Sequence, residues 1–345
     1  MCTQVAYVGK NSAAPVLLEM LEKIEGLWSG FYTGIATISE GEIFHDKVVG
    51  DVSALRKRTK SETFPGTTGI AHSRTPGQGD KEWGHPFLDC SGKMAFCEQG
   101  TLGIFKEESL PEIGKILSEL SKAGHKFSSS MKKPESSAVT DALGNNVHIS
   151  EVVCHMIEAN FKISGDMLQA IGATLNKIKI EIAALSVSVD SPQQVFLACT
   201  NQSLAVGWDK DGAYVASSTL AFPASVQRSF RLPPGTAAVL TPADIKIVNI
   251  PAWNIVIENP FTPAEAEKTA LEYLKENSGK LVGEIFHMYS QTLYPEKSLN
   301  RCHQTSMEVM EGLLKTKKIT SSRKYIDGLE KGLTAPRTLF EIAKN

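Results

Sequence analysis

The order in which strand-like and helix-like segments follow one another constrains this chain most. Residues 3–8 are short, β-branched or aromatic, and the β-rich runs 31–38 and 43–49 flank Glu40-Gly41-Glu42, which predicts a hairpin. Residues 67–73 and 93–97 add two more strands around a polar, glycine-rich loop over 75–84. Two helical segments follow at 151–162 and 166–179, and strands then return at 181–189, 194–200, 204–208, 213–217 and 237–241. Strands grouped with strands can pair through short antiparallel turns, whereas a parallel sheet needs a crossover between each pair. The pattern therefore predicts an α+β fold of antiparallel sheets sandwiched by helices.

Helix signals punctuate this order. Asn11-Ser12 offers a cap to a segment with Val16, Leu17, Met20, Leu21 and Ile24 at helical spacing; Ser109 and Pro111 open another, and Ser150 can cap the first of the central pair. The Ser-, Lys- and Asn-rich residues 126–146 belong at the surface. Beyond Ile250-Pro251 the texture changes, because Thr262-Pro263-Ala264-Glu265 reads as a capping box with helical spacing after it. Two units are expected: a main domain over 1–255 and a helical C-terminal region over 256–345. The positives Lys315, Lys317, Lys318, Arg323, Lys324 and Lys331 read as a solvated helix face.

At 345 residues with 42% hydrophobic content the chain can bury a full core, and a formal net charge of -2 supplies no field for holding nucleic acid. No apolar run reaches the roughly 18 residues of a membrane span, and Met1-Cys2-Thr3-Gln4 does not open a leader peptide. A cytoplasmic protein with no membrane or nucleic-acid partner is expected. The six cysteines, at 2, 90, 97, 154, 199 and 302, are scattered, unlike a disulfide scaffold. Neither Cys90 with Cys97, nor Cys154-His155, nor Cys302-His303 has zinc-site spacing, and both common nucleotide-loop signatures are missing. No metal and no cofactor are expected.

Cys2 follows the initiator Met1, and a residue this small normally permits removal of that methionine. The mature chain would then begin with a thiol beside a free α-amino group, a nucleophile and a base on one residue. A small apolar residue opening a buried strand would look the same.

Other residues decide between these readings. Cys2, then Gly69-Ile70-Ala71-His72-Ser73-Arg74, then His85-Pro86, then an apolar strand into Gln99-Gly100 resembles the class II glutamine amidotransferases, most of all the glutaminase domain of glucosamine-6-phosphate synthases. The likeness runs over about the first 250 residues. It implies the four-layer αββα sandwich of N-terminal nucleophile hydrolases, with the C-terminal region as a helical appendage. It also implies that Cys2 attacks a side-chain amide to form a thioester, with its own amine shuttling the proton to the departing ammonia. By the same resemblance Arg74, followed by Thr75, binds the substrate carboxylate, and the Gly100 N–H and the Gln99 side-chain amide stabilise the oxyanion.

The departures from the family matter too. Gln99 stands where the family writes Asn, and Thr75-Pro76-Gly77-Gln78-Gly79 replaces the usual substrate-covering sequence, with Trp83 available in place of its aromatic. Ser29-Gly30 stands for an arginine-glycine pair, and Ile149 falls where an acid holds the glutamine ammonium. An apolar side chain there leaves a cation desolvated unless another acid, such as Asp141, reaches in. His72 reads as structural, and Asn145, Asn146 and His148 as a polar surface loop, with pocket lining as the less favoured alternative. The expected partner is a small amide, glutamine or an analogue, with a separate ammonia-accepting protein and a homo-oligomer as further possibilities. A stand-alone amidase on another carboxylate-bearing amide, or a non-catalytic binding relative, are the alternatives.

Overall fold

The computed structural model describes residues 2–133, 137–253, 262–293 and 301–343. The chain opens with β1 (Thr3–Gly9), α1 (Ala13–Trp28), β2 (Tyr32–Ser39), β3 (Glu42–Val49), α2 (Val52–Arg58) and β4 (Thr68–Arg74). There follow β5 (Phe87–Leu88), β6 (Met94–Thr101), α3 (Lys106–Lys122), a small hairpin of β7 (Ala138–Thr140) and β8 (Asn146–His148), then α4 (Ile149–Ser164) and α5 (Met167–Lys177). The central strands are β9 (Glu181–Ser188), β10 (Val195–Cys199), β11 (Ala205–Asp209), β12 (Gly212–Ala216), β13 (Arg228–Arg231), β14 (Thr236–Leu240) and β15 (Ile245–Asn249).

These strands form two antiparallel sheets among the described residues. The first runs β13-β11-β12-β1-β4-β2-β3 and the second β15-β14-β10-β9-β6-β5. Alternation along each strand sends its residues to two different cores. Ala6 and Val8 of β1 meet Ala95 and Cys97 of β6 between the sheets, while Val5 and Tyr7 pack outward with Leu17 and Leu21 of α1. On the far side Phe96 packs with Val153 and Ile157 of α4 and Ile171 of α5. Both faces of each sheet are covered, which explains why all seven residues of β1 are buried. The result is the expected α+β four-layer αββα sandwich.

The C-terminal region departs from an all-helical expectation. It holds α6 (Pro263–Glu276), α7 (Val282–Thr292) and α8 (Cys302–Lys315), but also β16 (Lys280–Leu281), β17 (Ile319–Asp327) and β18 (Thr334–Ile342) in a three-stranded sheet. Thr262 and Glu265 do form the capping box. Arg323 and Lys324 lie on β17 and not on a helix. Leu274, Ile285, Tyr289, Met310 and Phe340 share one apolar core with α1. Gly26 permits this contact, since a Cβ there would stand 2.7 Å from Thr338 Oγ1.

Candidate functional site

Cys2 is the residue before β1, partly exposed at one end of the first sheet. Its rim is tied down by short side chains. Thr3 and Ser29 hydroxyls meet at 2.6 Å, Ser29 Oγ donates to the Glu25 carbonyl at 2.8 Å, and the Gly30 N–H donates to Ser73 Oγ at 2.9 Å. Thr3 pairs with Ser73, so the next position on β4, Arg74, falls at the Cys2 end; on its other side Arg74 pairs with Tyr32.

Arg74 is 3% exposed. Its guanidinium carbon lies 5.2 Å from the Tyr32 ring centre and 5.9 Å from that of Trp83, an aromatic setting that limits its rotation. Trp83 is fully buried at the end of the glycine-rich loop, and Tyr32 Oη holds that loop by donating to the Gly79 carbonyl at 2.8 Å. Thr75, half-buried, starts the loop.

The end of β6 supplies two residues to a cavity of about 230 Å³. Glu98 and Gly100 share one face of the strand and line it with His148, Ile149 and Ser150 from the start of α4, and with Lys106. Gly100 has φ +136°, and a Cβ on it would press to 2.0 Å from the Glu181 carbonyl oxygen, so only glycine fits. Ile149, 8% exposed, is the first residue of α4 and faces this space. Gln99 turns the other way, between the sheets. Its Nε2 donates to the Ser203 carbonyl at 2.8 Å and its Oε1 accepts from Ser217 Oγ at 2.5 Å. Ser217 Oγ also accepts from the N–H of Gln4, two residues from Cys2. The amide expected to serve as oxyanion donor therefore has a competing use.

Two more residues line the cavity: Glu98, which was not singled out from sequence, and His148. Glu98 is buried; its Oε1 accepts from Ser150 Oγ at 2.7 Å, while its Oε2 has no partner among the described residues. Burial pushes its carboxyl up to about 7, with the Ser150 hydroxyl working against that rise and negative charge on Cys2 adding to it. Alternation along β6 could have placed it beside Gly100. His148 is buried and caps α4 by accepting the Ser150 N–H on Nδ1 at 3.1 Å, which assigns its proton to Nε2. That Nε2 is also without a partner among the described residues. Reading His148 as part of a surface loop is thereby corrected, although Asn145 and Asn146 do lie in the hairpin.

His72, His85 and His148 pack in a chain, with ring centres 4.1 Å and 5.2 Å apart. Burial first, then neighbouring positive charge, holds His85 and His148 well below the usual imidazole range, and burial takes His72 down to about 3. His72 Nε2 meets the Glu98 carbonyl at 3.0 Å, a structural link between the sheets. Asp141 does not reach the cavity chemistry, because it holds its own hairpin by accepting from Leu143 N, Asn145 N and Asn145 Nδ2. Elsewhere, Cys90, His125, His155 and Glu158 bring four metal-ligating atoms within 4.8 Å of one another, a grouping that sequence spacing did not indicate.

No family model matches the chain. It is 30% identical over 244 residues to a glutamine--fructose-6-phosphate aminotransferase (isomerizing) of Pyrococcus horikoshii, covering 70% of this chain and 36% of that protein. It is 29% identical over 284 residues to the enzyme of that name from Aquifex aeolicus, covering 80% and 43%. The chain thus spans less than half the length of these curated relatives. Among solved structures it superposes on a glutamine phosphoribosylpyrophosphate amidotransferase from B. subtilis with a TM-score of 0.56 at 16% identity, covering 93% of this chain and 66% of that one. A second, titled as the allosteric regulatory enzyme of purine biosynthesis, gives 0.58 at 18% identity, covering 81% and 58%. At such identities the structural likeness speaks for the fold and the sequence likeness for the family. Together they place this chain among the class II glutamine amidotransferases, with the N-terminal nucleophile hydrolase fold.

Proposed function

We propose that the chain releases ammonia from the side-chain amide of glutamine, with Cys2 freed at the N-terminus as the nucleophile. The observation that carries this reading is the strand register that sets Arg74 at the Cys2 end of the first sheet; the cavity lined by Glu98, Gly100 and Ile149 opens at the end of β6, with Cys2 and Arg74 outside its lining. Cys2 Sγ attacks the amide carbon while the α-amino group takes the thiol proton and then delivers it to the departing nitrogen. A thioester forms, ammonia leaves, and water attacks the thioester to give glutamate and the free thiol. Gly100 N–H serves the developing oxyanion. Gln99, tied to Ser203 and Ser217, positions the strand end and offers at most its second Nε2 hydrogen.

Substrate recognition divides between two charges. Arg74, restrained by Tyr32 and Trp83, takes the α-carboxylate as a fork, with Thr75 at its side. Glu98 takes the α-ammonium, in place of the acid missing at 149. Its second oxygen has no partner among the described residues, and a substrate cation would draw its carboxyl toward the ionised form. The acid is thus supplied from β6 and not from the first turn of α4. This favours glutamine over an amide lacking the ammonium, the opposite of what Ile149 alone implies.

The ammonia is consumed by an acceptor site outside the described residues, on a partner protein or further chain. The test is ammonia release from glutamine by protein whose intact mass shows loss of Met1, beside Cys2→Ala. Release by the processed wild type and none by the variant supports the reading. Processed, folded protein that binds glutamine without releasing ammonia would make it a binding relative.

A further inference from the structure

We propose that Cys90, His125, His155 and Glu158 form a structural zinc site. Cys90 lies in the turn between β5 and β6, His125 follows α3, and His155 and Glu158 stand one turn apart on α4. Their atoms enclose a point: Cys90 Sγ is 3.5 Å from Nδ1 of both His125 and His155, and the two Nδ1 atoms are 3.1 Å apart. Glu158 Oε2 is 3.2 Å from His125 Nδ1 and 3.0 Å from His155 Nδ1. A tetrahedron with Zn–S of about 2.3 Å and Zn–N or Zn–O of about 2.0–2.1 Å has edges of about 3.5 Å for S···N and about 3.3 Å for N···N and N···O. Five of the six edges fit within a few tenths of an ångström, and the sixth, Cys90 Sγ to Glu158 Oε2, lies within 4.8 Å, so binding would draw the exposed Cys90 inward.

Hydrogen bonding satisfies this group poorly. A neutral imidazole offers one proton or one lone pair at Nδ1, yet both Nδ1 atoms face each other, the same carboxylate oxygen and the same sulfur. A central dication uses all four donors at once. The other carboxylate oxygen of Glu158, Oε1, accepts from Lys162 Nζ at 2.6 Å, which orients Oε2 inward. His155 and Glu158 are 1% and 3% exposed at their side chains, so the inner half of the site is pre-organised. Exposed Cys90 opens onto a groove of about 510 Å³ that gives an ion its path in.

One thiolate, two imidazoles and one carboxylate suit zinc over magnesium or calcium, and four protein ligands leave no position for a substrate. On binding, Cys90 Sγ–H gives its proton to solvent and the sulfur bonds the metal. The ion would pin α4 to the β5–β6 turn and to the end of α3. Ile149 and Ser150 begin that same helix, and β6 carries Glu98 and Gly100, so the pin would brace two walls of the amide cavity. Sequence spacing could not reveal it, since two of the four ligands stand far along the chain from the other pair. The site is independent of the amide chemistry.

The test uses the full chain, stripped with chelator and titrated with Zn²⁺ and, separately, Co²⁺. The expected results are one zinc per chain, a rise in the thermal midpoint, and a Co²⁺ spectrum with intense tetrahedral bands and a thiolate charge-transfer band. Because His155 and Glu158 are buried, the variants chosen are Cys90→Ser and His125→Ala at the outer edge. Both should weaken zinc by about tenfold or more while remaining folded by circular dichroism, and Cys90→Ser should abolish the charge-transfer band. Cys154→Ala should leave that band intact. A wild type without zinc uptake at micromolar concentrations, weak octahedral cobalt bands, or a charge-transfer band that survives Cys90→Ser would each overturn the proposal.

Discussion

Ser150 Oγ donates to Glu98 Oε1 at 2.7 Å, joining the first turn of α4 to β6 across the cavity. The bond fixes one carboxylate oxygen and leaves the other for a ligand. Since burial raises this carboxyl to about 7, its charge changes near neutral pH. Only the carboxylate pairs with a substrate ammonium, so KM for glutamine should rise as pH falls below about 7, approaching tenfold per unit. The same titration of an amide without the ammonium should lack this limb. Glu98→Gln should raise KM for glutamine by about tenfold or more and remove the limb; an unchanged profile in the variant would show that another group holds the ammonium.

Cys2→Ala should abolish ammonia release with thermal stability nearly unchanged, because the residue is partly exposed and precedes β1. Intact mass supplies the companion measurement. Activity in protein that still carries Met1 would exclude the α-amino group of Cys2 as the base.

Arg74→Lys keeps the charge but loses the fork, and a lysine cannot reproduce the planar packing between Tyr32 and Trp83. The expected loss in kcat/KM for glutamine is about 1.5–3 kcal/mol, mostly through KM. An amide whose α-carboxylate is itself amidated should respond equally to wild type and variant. A lysine variant with wild-type KM would remove Arg74 from recognition.

What the sequence disclosed depended on whether the signal was local. Antiparallel sheets sandwiched by helices were legible because strand and helix periods are local, while the four-layer αββα order came from the family resemblance; Arg74 and Gly100 were picked out because each sits in a short motif. Glu98 was within reach through alternation with Gly100 but was masked by the more familiar Gln99-Gly100 pair. Strands β17 and β18 gave no apolar alternation to read, since β17 is exposed along nearly its whole length. Their lysines and arginines therefore resembled a helix face. His148 depended on a tertiary fact, the packing of a capping residue against Trp83 and Phe87.

The proposed boundary near residue 255 has a measurable consequence. Trp28 at the end of α1 stacks near His303 and Phe286, and the His303 Nδ1 accepts the Ser203 N–H at 3.1 Å. Removing the residues beyond 255 would expose this face of α1. The shortened chain should lose about 3 kcal/mol or more of stability from apolar exposure alone, seen as a lower thermal midpoint. An unchanged midpoint would make the C-terminal region an independent unit.

Ile149 and Glu98 face one cavity, so the acid can be moved from one to the other. In wild type, Ile149→Asp would put two carboxylates in a partly dry space, where like charges disfavour joint ionisation. It should therefore bring little gain for glutamine, and should displace the pH limb upward. In the Glu98→Gln background the same change restores an opposite charge for the ammonium, and kcat/KM for glutamine should recover by about tenfold or more. The recovery should be confined to substrates with the amine. The double-mutant cycle reads the coupling directly: a strongly favourable interaction between the two changes is expected. If Ile149→Asp instead improves glutamine hydrolysis equally with and without Glu98, the two side chains act separately and Glu98 is not the ammonium partner.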